Sequence, residues 1–109
     1  MWYLVLSRNL RSDEERGPRT QAHLDWLDDL HRSGQALFSG RTANGAYGVY
    51  VLLADSLAEA EALAAQDPYH QHGDRQMEVL DWTPRRAFRL AGPTPADLEA
   101  MARGETPRP

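Results

Sequence analysis

Residues 47–54, YGVYVLLA, constrain the fold of this chain more than any other segment. Tyrosine, valine and leucine alternate onto both sides of an extended run, which predicts a central strand with both faces buried. Asn44-Gly45 comes just before it, and the short strand-like run ALFSGRT precedes that pair. Because Asn and Gly both tolerate positive φ, the pair predicts a tight hairpin between the two strands.

The first part of the chain predicts a strand followed by a helix. Residues 2–8, WYLVLSR, are aromatic and branched-apolar, as is typical of a strand. The polar residues 8–18 end in Gly-Pro and are expected to form a loop. Thr20 is the predicted N-cap of a helix whose leucines within residues 24–30 share one face, and residues 33–34, Ser-Gly, are its predicted end.

The second half repeats this order. Ser56 and Glu59 have the spacing of a capping box at the start of the alanine-rich residues 58–65. The helix is expected to end near Asp67, because the residue before a proline avoids the helical conformation. Residues 75–82, RQMEVLDW, alternate as a half-buried strand does. The order β-α-β-β-α-β predicts an α+β, ferredoxin-like fold: an antiparallel sheet with both helices on one face.

Two helices cover only one side of a four-stranded sheet. The doubly apolar strands therefore predict a second layer, for which a second copy of the chain, packed sheet to sheet in a homodimer, is the simplest source. Residues 1–88 are predicted to form this one domain. Residues 89–109 are predicted to be a C-terminal extension with a short helix, capped by Thr94, and a disordered end.

Composition narrows the classes of partner. The chain has 109 residues, a net charge of −4 and no cysteine, and its 12 basic residues are scattered arginines rather than a basic stripe. Nucleic acid is therefore not expected as a partner. No apolar run approaches the roughly 20 residues of a membrane span, and no basic region precedes the first apolar run as in a signal peptide. The expected location is the cytoplasm, with no membrane partner.

Several segments together resemble the YciI-like (YCII-related) family over about residues 1–88. They are RTQAHLDWLDDLHRSGQALFSG, YVLLADSLAEAEALAAQDPYHQHG and MEVLDW, which carry His23, Gly34, Gly40 and the Asp-Pro-Tyr of residues 67–69. The resemblance implies a dimeric α+β barrel and a His–Asp pair in a pocket, here His23 and Asp67, suspected to be catalytic. The activity known in the family is of dehydrochlorinase type on chlorinated hydroxyquinone compounds, and we do not transfer that substrate to this chain.

The pair also has a basis in the predicted fold. His23 lies at the edge of the apolar face of the first helix and Asp67 where the second ends, and both helices pack on one sheet face. A carboxylate bonded to one imidazole nitrogen fixes the tautomer and makes the other nitrogen more basic. This suits proton transfer in an isomerase-, lyase- or dehydrochlorinase-like reaction on a small organic, including cyclic, substrate. The alternative is a non-enzymatic ligand-binding or interaction module in which the pair only joins the helices.

Four further residues are candidates for substrate binding. Arg8 ends the first strand and could pair with an anionic group, while Ser39 and Arg41 flank Gly40 and could line a pocket. Tyr69 could donate a hydrogen bond to a substrate oxygen. The plainer alternatives are solvent-exposed arginines and a tyrosine ring packed in the core.

A metal site is only a weak alternative. His70 and His72, with Asp74 and His23, have side chains that suit zinc or another transition metal. Two histidines two residues apart in a loop are, however, a weak signal, so no metal is predicted. The sequence contains no phosphate loop or dinucleotide fingerprint, and no cofactor is predicted.

Overall fold

The computed structural model describes residues 1–84, 96, 99–100 and 103–104. The elements in chain order are β1 (Trp2–Asn9), α1 (Asp13–Arg32), β2 (Ala36–Arg41), β3 (Tyr47–Leu53), α2 (Leu57–Ala65), α3 (Pro68–Gln71) and β4 (Arg75–Trp82). In this part of the chain the strands form one antiparallel sheet in the order β2-β3-β1-β4. The predicted ferredoxin-like α+β fold is confirmed, with β3 and β1 in the centre.

The helix α1 begins well before its predicted start. Ser12 is the N-cap: its hydroxyl accepts a hydrogen bond from the Glu15 N–H, and the Glu15 carboxylate accepts one from the Ser12 N–H. The helix then continues through Pro18. The predicted loop over residues 8–18 and the predicted cap at Thr20 are therefore wrong, because the capping box outweighs the Gly-Pro signal. The additional turns carry side chains that line the candidate site.

The hairpin between β2 and β3 is confirmed, but its turn differs from the expected two-residue form. Gly45 has φ of 72°, whereas Asn44 has no positive φ. The Gly45 N–H donates to the Thr42 carbonyl at 2.9 Å, and the Thr42 N–H donates to the Tyr47 carbonyl at 3.0 Å. The Asn44 side chain instead accepts a hydrogen bond from the Ala46 N–H. Asn44 thus stabilises a longer connection through its side chain rather than its backbone conformation.

The second helical segment divides in two. Ser56 caps α2 by accepting from the Glu59 N–H, while the Glu59 carboxylate accepts from the Asp55 N–H, so the predicted capping box is only half formed. α2 ends before Asp67, as predicted. Asp67 then caps the short helix α3, which begins at Pro68 and was not predicted. Proline at the first helical position and aspartate at the cap favour this extra turn.

The two faces of the sheet differ in what covers them. The face that packs against α1 and α2 holds the main core, which includes Val5, Leu30, Tyr50, Leu52 and Ala64. The opposite face, here called the open face, carries Phe38, Leu80 and Trp82, which are 60%, 38% and 42% exposed. Val51, on the open face of β3, is nevertheless only 5% exposed. The prediction that residues 47–54 form a strand buried on both sides is confirmed for Val51 and Leu52.

Little of the predicted C-terminal extension is described. The Thr94 cap and the predicted disordered end lie outside the described residues. Glu99 is helical, and its carboxylate lies 3.5 Å from the Met1 amino group. Among the described helices, none is long and apolar enough to cross a membrane.

Candidate active site

His23 and Asp67 form a buried hydrogen-bonded pair. His23 Nδ1 lies 2.8 Å from Asp67 Oδ1, and the two residues are 7% and 0% exposed. Asp67 Oδ1 also accepts a hydrogen bond from the Tyr69 N–H at 3.0 Å. Because an ionised carboxylate only accepts, Nδ1 of a neutral His23 ring carries the hydrogen and Nε2 keeps a free lone pair. The structure brings together the two residues that the sequence singled out.

Aromatic contacts hold the imidazole in place. The Tyr69 ring stacks on His23, with centroids 4.3 Å apart and planes 20° apart. Tyr69 is buried, and its hydroxyl donates to Thr20 Oγ1 at 2.7 Å. This hydroxyl, predicted as a substrate ligand, is thus bonded within the protein. Tyr69 contributes its ring to the site.

A cavity of about 480 Å³ lies against His23, between α1 and the hairpin end of the sheet. This volume suits a small organic molecule. Its wall contains apolar and polar side chains, three arginines and one carboxylate, which include Asn9, Asp13, Arg16, Thr20, Leu24, Leu27, Ser39, Arg41, Tyr50, Tyr69 and Arg75. Asp67 does not line the cavity but lies behind His23. The pair is therefore arranged with the histidine toward a ligand and the carboxylate toward the protein.

Burial sets the protonation of Tyr50 in the cavity wall. Burial raises the pKa of the Tyr50 hydroxyl far above its ordinary value, and the negative charge of Asp67 raises it further. The hydroxyl lies 3.6 Å from Met77 Sδ, to which it donates. Tyr50 therefore remains neutral and serves as a largely apolar wall.

The other predicted binding residues fall in different places. Ser39 and Arg41 line the cavity, and Ser39 Oγ lies 2.8 Å from His31 Nε2 in a hydrogen bond. Arg8 is exposed and donates to Gln76 Oε1 at 2.6 Å. Strand alternation places Arg8 on the open face, because Ser7 beside it is buried on the helix side. The structure does not bring Arg8 to the pair.

The histidine-rich turn does not form a cluster of metal ligands. His70 and His72 are exposed, and no group of three or more His, Cys, Asp or Glu side chains suited to a metal occurs within the described residues. Asp74, considered with them in the metal alternative, is fully buried and binds arginines instead. It accepts from Arg19 Nε at 2.8 Å and Arg11 Nη1 at 3.2 Å. The hydrogen bond from Arg19 holds the Asp74 pKa below its usual range.

Sequence reasoning missed Arg16 and Arg75 in the cavity wall. Arg16 lies not in the predicted loop but in the first turns of α1, where it donates to the Asp13 carboxylate and the Arg11 carbonyl. Arg75 begins β4, and its Nε donates to Asn9 Oδ1 at 2.6 Å. The Ser12 capping box was the available signal for Arg16. Strand register alone places Arg75 beside Asn9, and no local pattern reveals it.

The fold and the site define a small α+β domain with a buried His–Asp pair against a cavity. A family model, the YCII-related domain, matches residues 1–83, and the chain belongs to this family. The predicted family is thus confirmed. The chain is also 26% identical over 80 residues to the uncharacterised protein YjpA of Bacillus subtilis (strain 168), which covers 73% of this chain and 94% of YjpA.

Two solved structures share the fold. One is 5-chloro-2-hydroxyhydroquinone dehydrochlorinase (TftG) from Burkholderia phenoliruptrix AC1100, in complex with 2,5-dihydroxybenzoquinone. It has a TM-score of 0.64 and 20% identity, and covers 76% of this chain and 94% of that one. The other is muconolactone isomerase, with a TM-score of 0.64 and 18% identity, covering 85% and 98%. At these identities the likeness establishes the fold.

Proposed function

We propose that this protein is a small enzyme in which His23 transfers a proton to or from a small organic substrate bound in the cavity. The observation that carries the proposal is the 2.8 Å contact between His23 Nδ1 and Asp67 Oδ1, with His23 itself in the cavity wall. Asp67 fixes the tautomer and favours the imidazolium that forms when Nε2 takes a proton. No cofactor is needed for this step.

The proposed reaction is proton abstraction from a carbon next to a carbonyl group. The C–H bond breaks, Nε2 gains the proton, and the electron pair moves onto the carbonyl oxygen as an enolate. Where a carbon–carbon double bond is conjugated with the enolate, return of the proton to the far carbon of that double bond moves the double bond and completes an isomerisation. Departure of an anionic leaving group from the adjacent carbon completes an elimination, after which His23 releases its proton to solvent. Both outcomes use one residue as base and then acid.

The relatives of known activity support this choice of reaction. The two solved structures are named as a dehydrochlorinase and an isomerase, whose reactions are an elimination and an isomerisation. Both classes of reaction fit a single histidine that moves protons. Because these proteins share only the fold with this chain, their substrates are not proposed for it.

The rival function is ligand binding without catalysis. It is favoured because Asp67 has a structural role as well: its Oδ1 caps α3 by accepting a hydrogen bond from the Tyr69 N–H. A pair of this kind could serve only to join α1 to α3. The two functions predict different behaviour of a variant that lacks the histidine but keeps the fold.

Hydrogen exchange with solvent tests the enzymatic proposal without knowledge of the natural substrate. We expect the wild-type protein to accelerate exchange of the α-hydrogens of cyclohexanone, or of other small cyclic ketones, with D₂O, measured by proton NMR. His23→Asn should abolish the acceleration. His70→Asn is the matched control, because His70 is exposed and outside the cavity. Equal exchange by the wild-type protein and His23→Asn, or no acceleration by the wild-type protein on any ketone, would contradict the proposal.

We also propose that the protein is a homodimer joined through its open faces. The support is the apolar character of that face, where Phe38, Leu80 and Trp82 remain exposed while both α1 and α2 lie on the other side. A two-layer arrangement would bury these side chains. Sedimentation should give a dimer at micromolar concentration and a monomer for Phe38→Glu. A monomeric wild-type protein would contradict this assembly.

A further inference from the structure

Arg75 lies half-buried in the cavity wall with most of its donors unused. Its Nε donates to Asn9 Oδ1 at 2.6 Å, and its guanidinium carbon lies 4.5 Å from the centre of the Tyr69 ring. Among the described residues, no carboxylate forms an ion pair with Arg75, and neither terminal nitrogen has a hydrogen-bond acceptor. Arg16, by contrast, is already paired with Asp13. Arg75 is thus a positioned cation with two free nitrogens facing the ligand space.

The neighbouring strand makes room for this guanidinium. A Cβ atom placed on Gly48 would lie 2.5 Å from Arg75 Nη1, closer than real Cβ contacts come, and 3.1 Å from its guanidinium carbon. Gly48 has no positive φ, so its backbone does not require glycine. The space beside Gly48 is taken up by the end of the Arg75 side chain, so a side chain at position 48 would push the guanidinium out of its present place.

The charge of Arg75 is held in an unfavourable place. Burial lowers the pKa of the Arg75 guanidinium below its ordinary value, the negative charge of Asp67 raises it in part, and the nearby Arg16 lowers it further. At neutral pH the group nevertheless stays cationic. A partly desolvated cation with unused donors gains most from a bound anion.

We propose that Arg75 is the anion-binding residue of the cavity and that the ligand is a small planar carboxylate. Nη1 and Nη2 donate two parallel hydrogen bonds to the carboxylate oxygens, which a guanidinium matches in shape. The Tyr69 ring lies next to both groups, 4.5 Å from the Arg75 guanidinium carbon and 4.3 Å from the His23 ring centroid. The assignment of this anion as a substrate rests on the proposed function, whereas its binding to Arg75 does not.

Binding of benzoate and its neutral analogue benzamide tests this directly. We expect benzoate to shift the amide signals of cavity residues saturably in NMR titrations, and benzamide to bind roughly tenfold or more weakly, because it lacks the charge-assisted pair. Arg75→Gln should weaken benzoate binding by a similar factor. Arg32→Gln is the matched control, since it removes the same charge from an exposed helix position that pairs with Asp29 outside the cavity.

Gly48→Ala provides a second test that alters no charge. Its methyl group should displace the guanidinium and weaken benzoate binding roughly tenfold, even if Arg75→Gln fails to fold. Absence of saturable benzoate binding to the wild-type protein would overturn the proposal. Equal binding by the wild-type protein and Gly48→Ala, or by the wild-type protein and a folded Arg75→Gln, would also overturn it.

The two proposals can fail separately. His23→Asn should retain benzoate binding, because Arg75 and Gly48 are unchanged. Arg75-dependent benzoate binding without ketone hydrogen exchange would refute the enzymatic proposal alone. If ketone exchange depends on His23 but benzoate binding is unchanged in both Arg75→Gln and Gly48→Ala, the anion site alone would be refuted.

Discussion

Replacement of Asp67 by Asn should separate a catalytic pair from one that only joins the helices. Asp67 is fully buried, and its Oδ1 accepts hydrogen bonds from His23 Nδ1 and from the Tyr69 N–H. The Asn carbonyl can accept both bonds, so the cap of α3 and the position of the imidazole are preserved. Asp67→Ala, by contrast, leaves two buried donors without an acceptor.

The expected costs differ because of these contacts. Each buried donor left unpaired costs about 1–3 kcal/mol, so Asp67→Ala should lose about 2–6 kcal/mol of the free energy of unfolding. In the wild-type protein Asp67 Oδ2 is buried and has no hydrogen-bond partner among the described residues. Asn places its amide there, which exchanges one unsatisfied group for another. We therefore expect a loss of about 1 kcal/mol, or a fall in Tm of about 4–8 °C.

Proton transfer should slow even in Asp67→Asn, although this variant keeps most of its stability. A hydrogen bond to an ionised group is roughly twice as strong as a neutral one, and Asn can no longer stabilise the imidazolium by charge. A difference of about 1.5 kcal/mol in that state slows proton transfer by about tenfold. Thermal unfolding and cyclohexanone exchange should be measured on the same preparations of both variants. Wild-type exchange by a stable Asp67→Asn would refute the reasoning, and equal destabilisation by Asn and Ala would favour a purely structural pair.

Two further predictions concern stability. Ser12→Ala should lower the free energy of unfolding by about 1 kcal/mol in urea, because it removes the cap of α1, and an unchanged midpoint would count against the capping box. The Asp74 pKa lies below its ordinary value of 3.8, chiefly because Arg19 donates a hydrogen bond to the carboxylate. The ionised carboxylate therefore stabilises the fold above about pH 4. This stabilisation is lost as the pH falls through the lowered pKa. Asp74→Asn should therefore be about 2 kcal/mol less stable than wild type at about pH 7, and the gap should narrow at about pH 3. A gap independent of pH would contradict the role assigned to Asp74.

The sequence predicts most of the fold because strand alternation and helix ends are local signals. Residues 47–54 reveal a central strand, and Ser33-Gly34 ends α1 where predicted. The predicted start of α1 was wrong because two local signals compete there. Gly17-Pro18 indicates a break, whereas Ser12 and Glu15 form a capping box. The short helix α3 was missed because a single turn has no apolar periodicity.

The residues of the candidate site likewise fall into those that the sequence predicts and those that it does not. His23 and Asp67 could be paired from the sequence because the fold places both helices on one face and the family pattern joins the two residues. Arg75 could not be predicted as a site residue, because its position depends on the space left by Gly48 on a different strand. Arg8 was chosen for its position at a strand end, but strand alternation turns it to the open face. Which way a side chain faces follows from register, which the sequence specifies only after the strands are paired.

The tautomer of His23 decides whether this histidine can act as the base. Long-range proton–nitrogen NMR correlation at about pH 8, above the ordinary histidine pKa of about 6.5, reports which ring nitrogen carries the hydrogen. We expect hydrogen on Nδ1, bonded to Asp67, and an unprotonated Nε2 that can take a proton from a substrate. The same experiment on Asp67→Ala should show that this preference is lost. A wild-type His23 with hydrogen on Nε2 would contradict its role as the base.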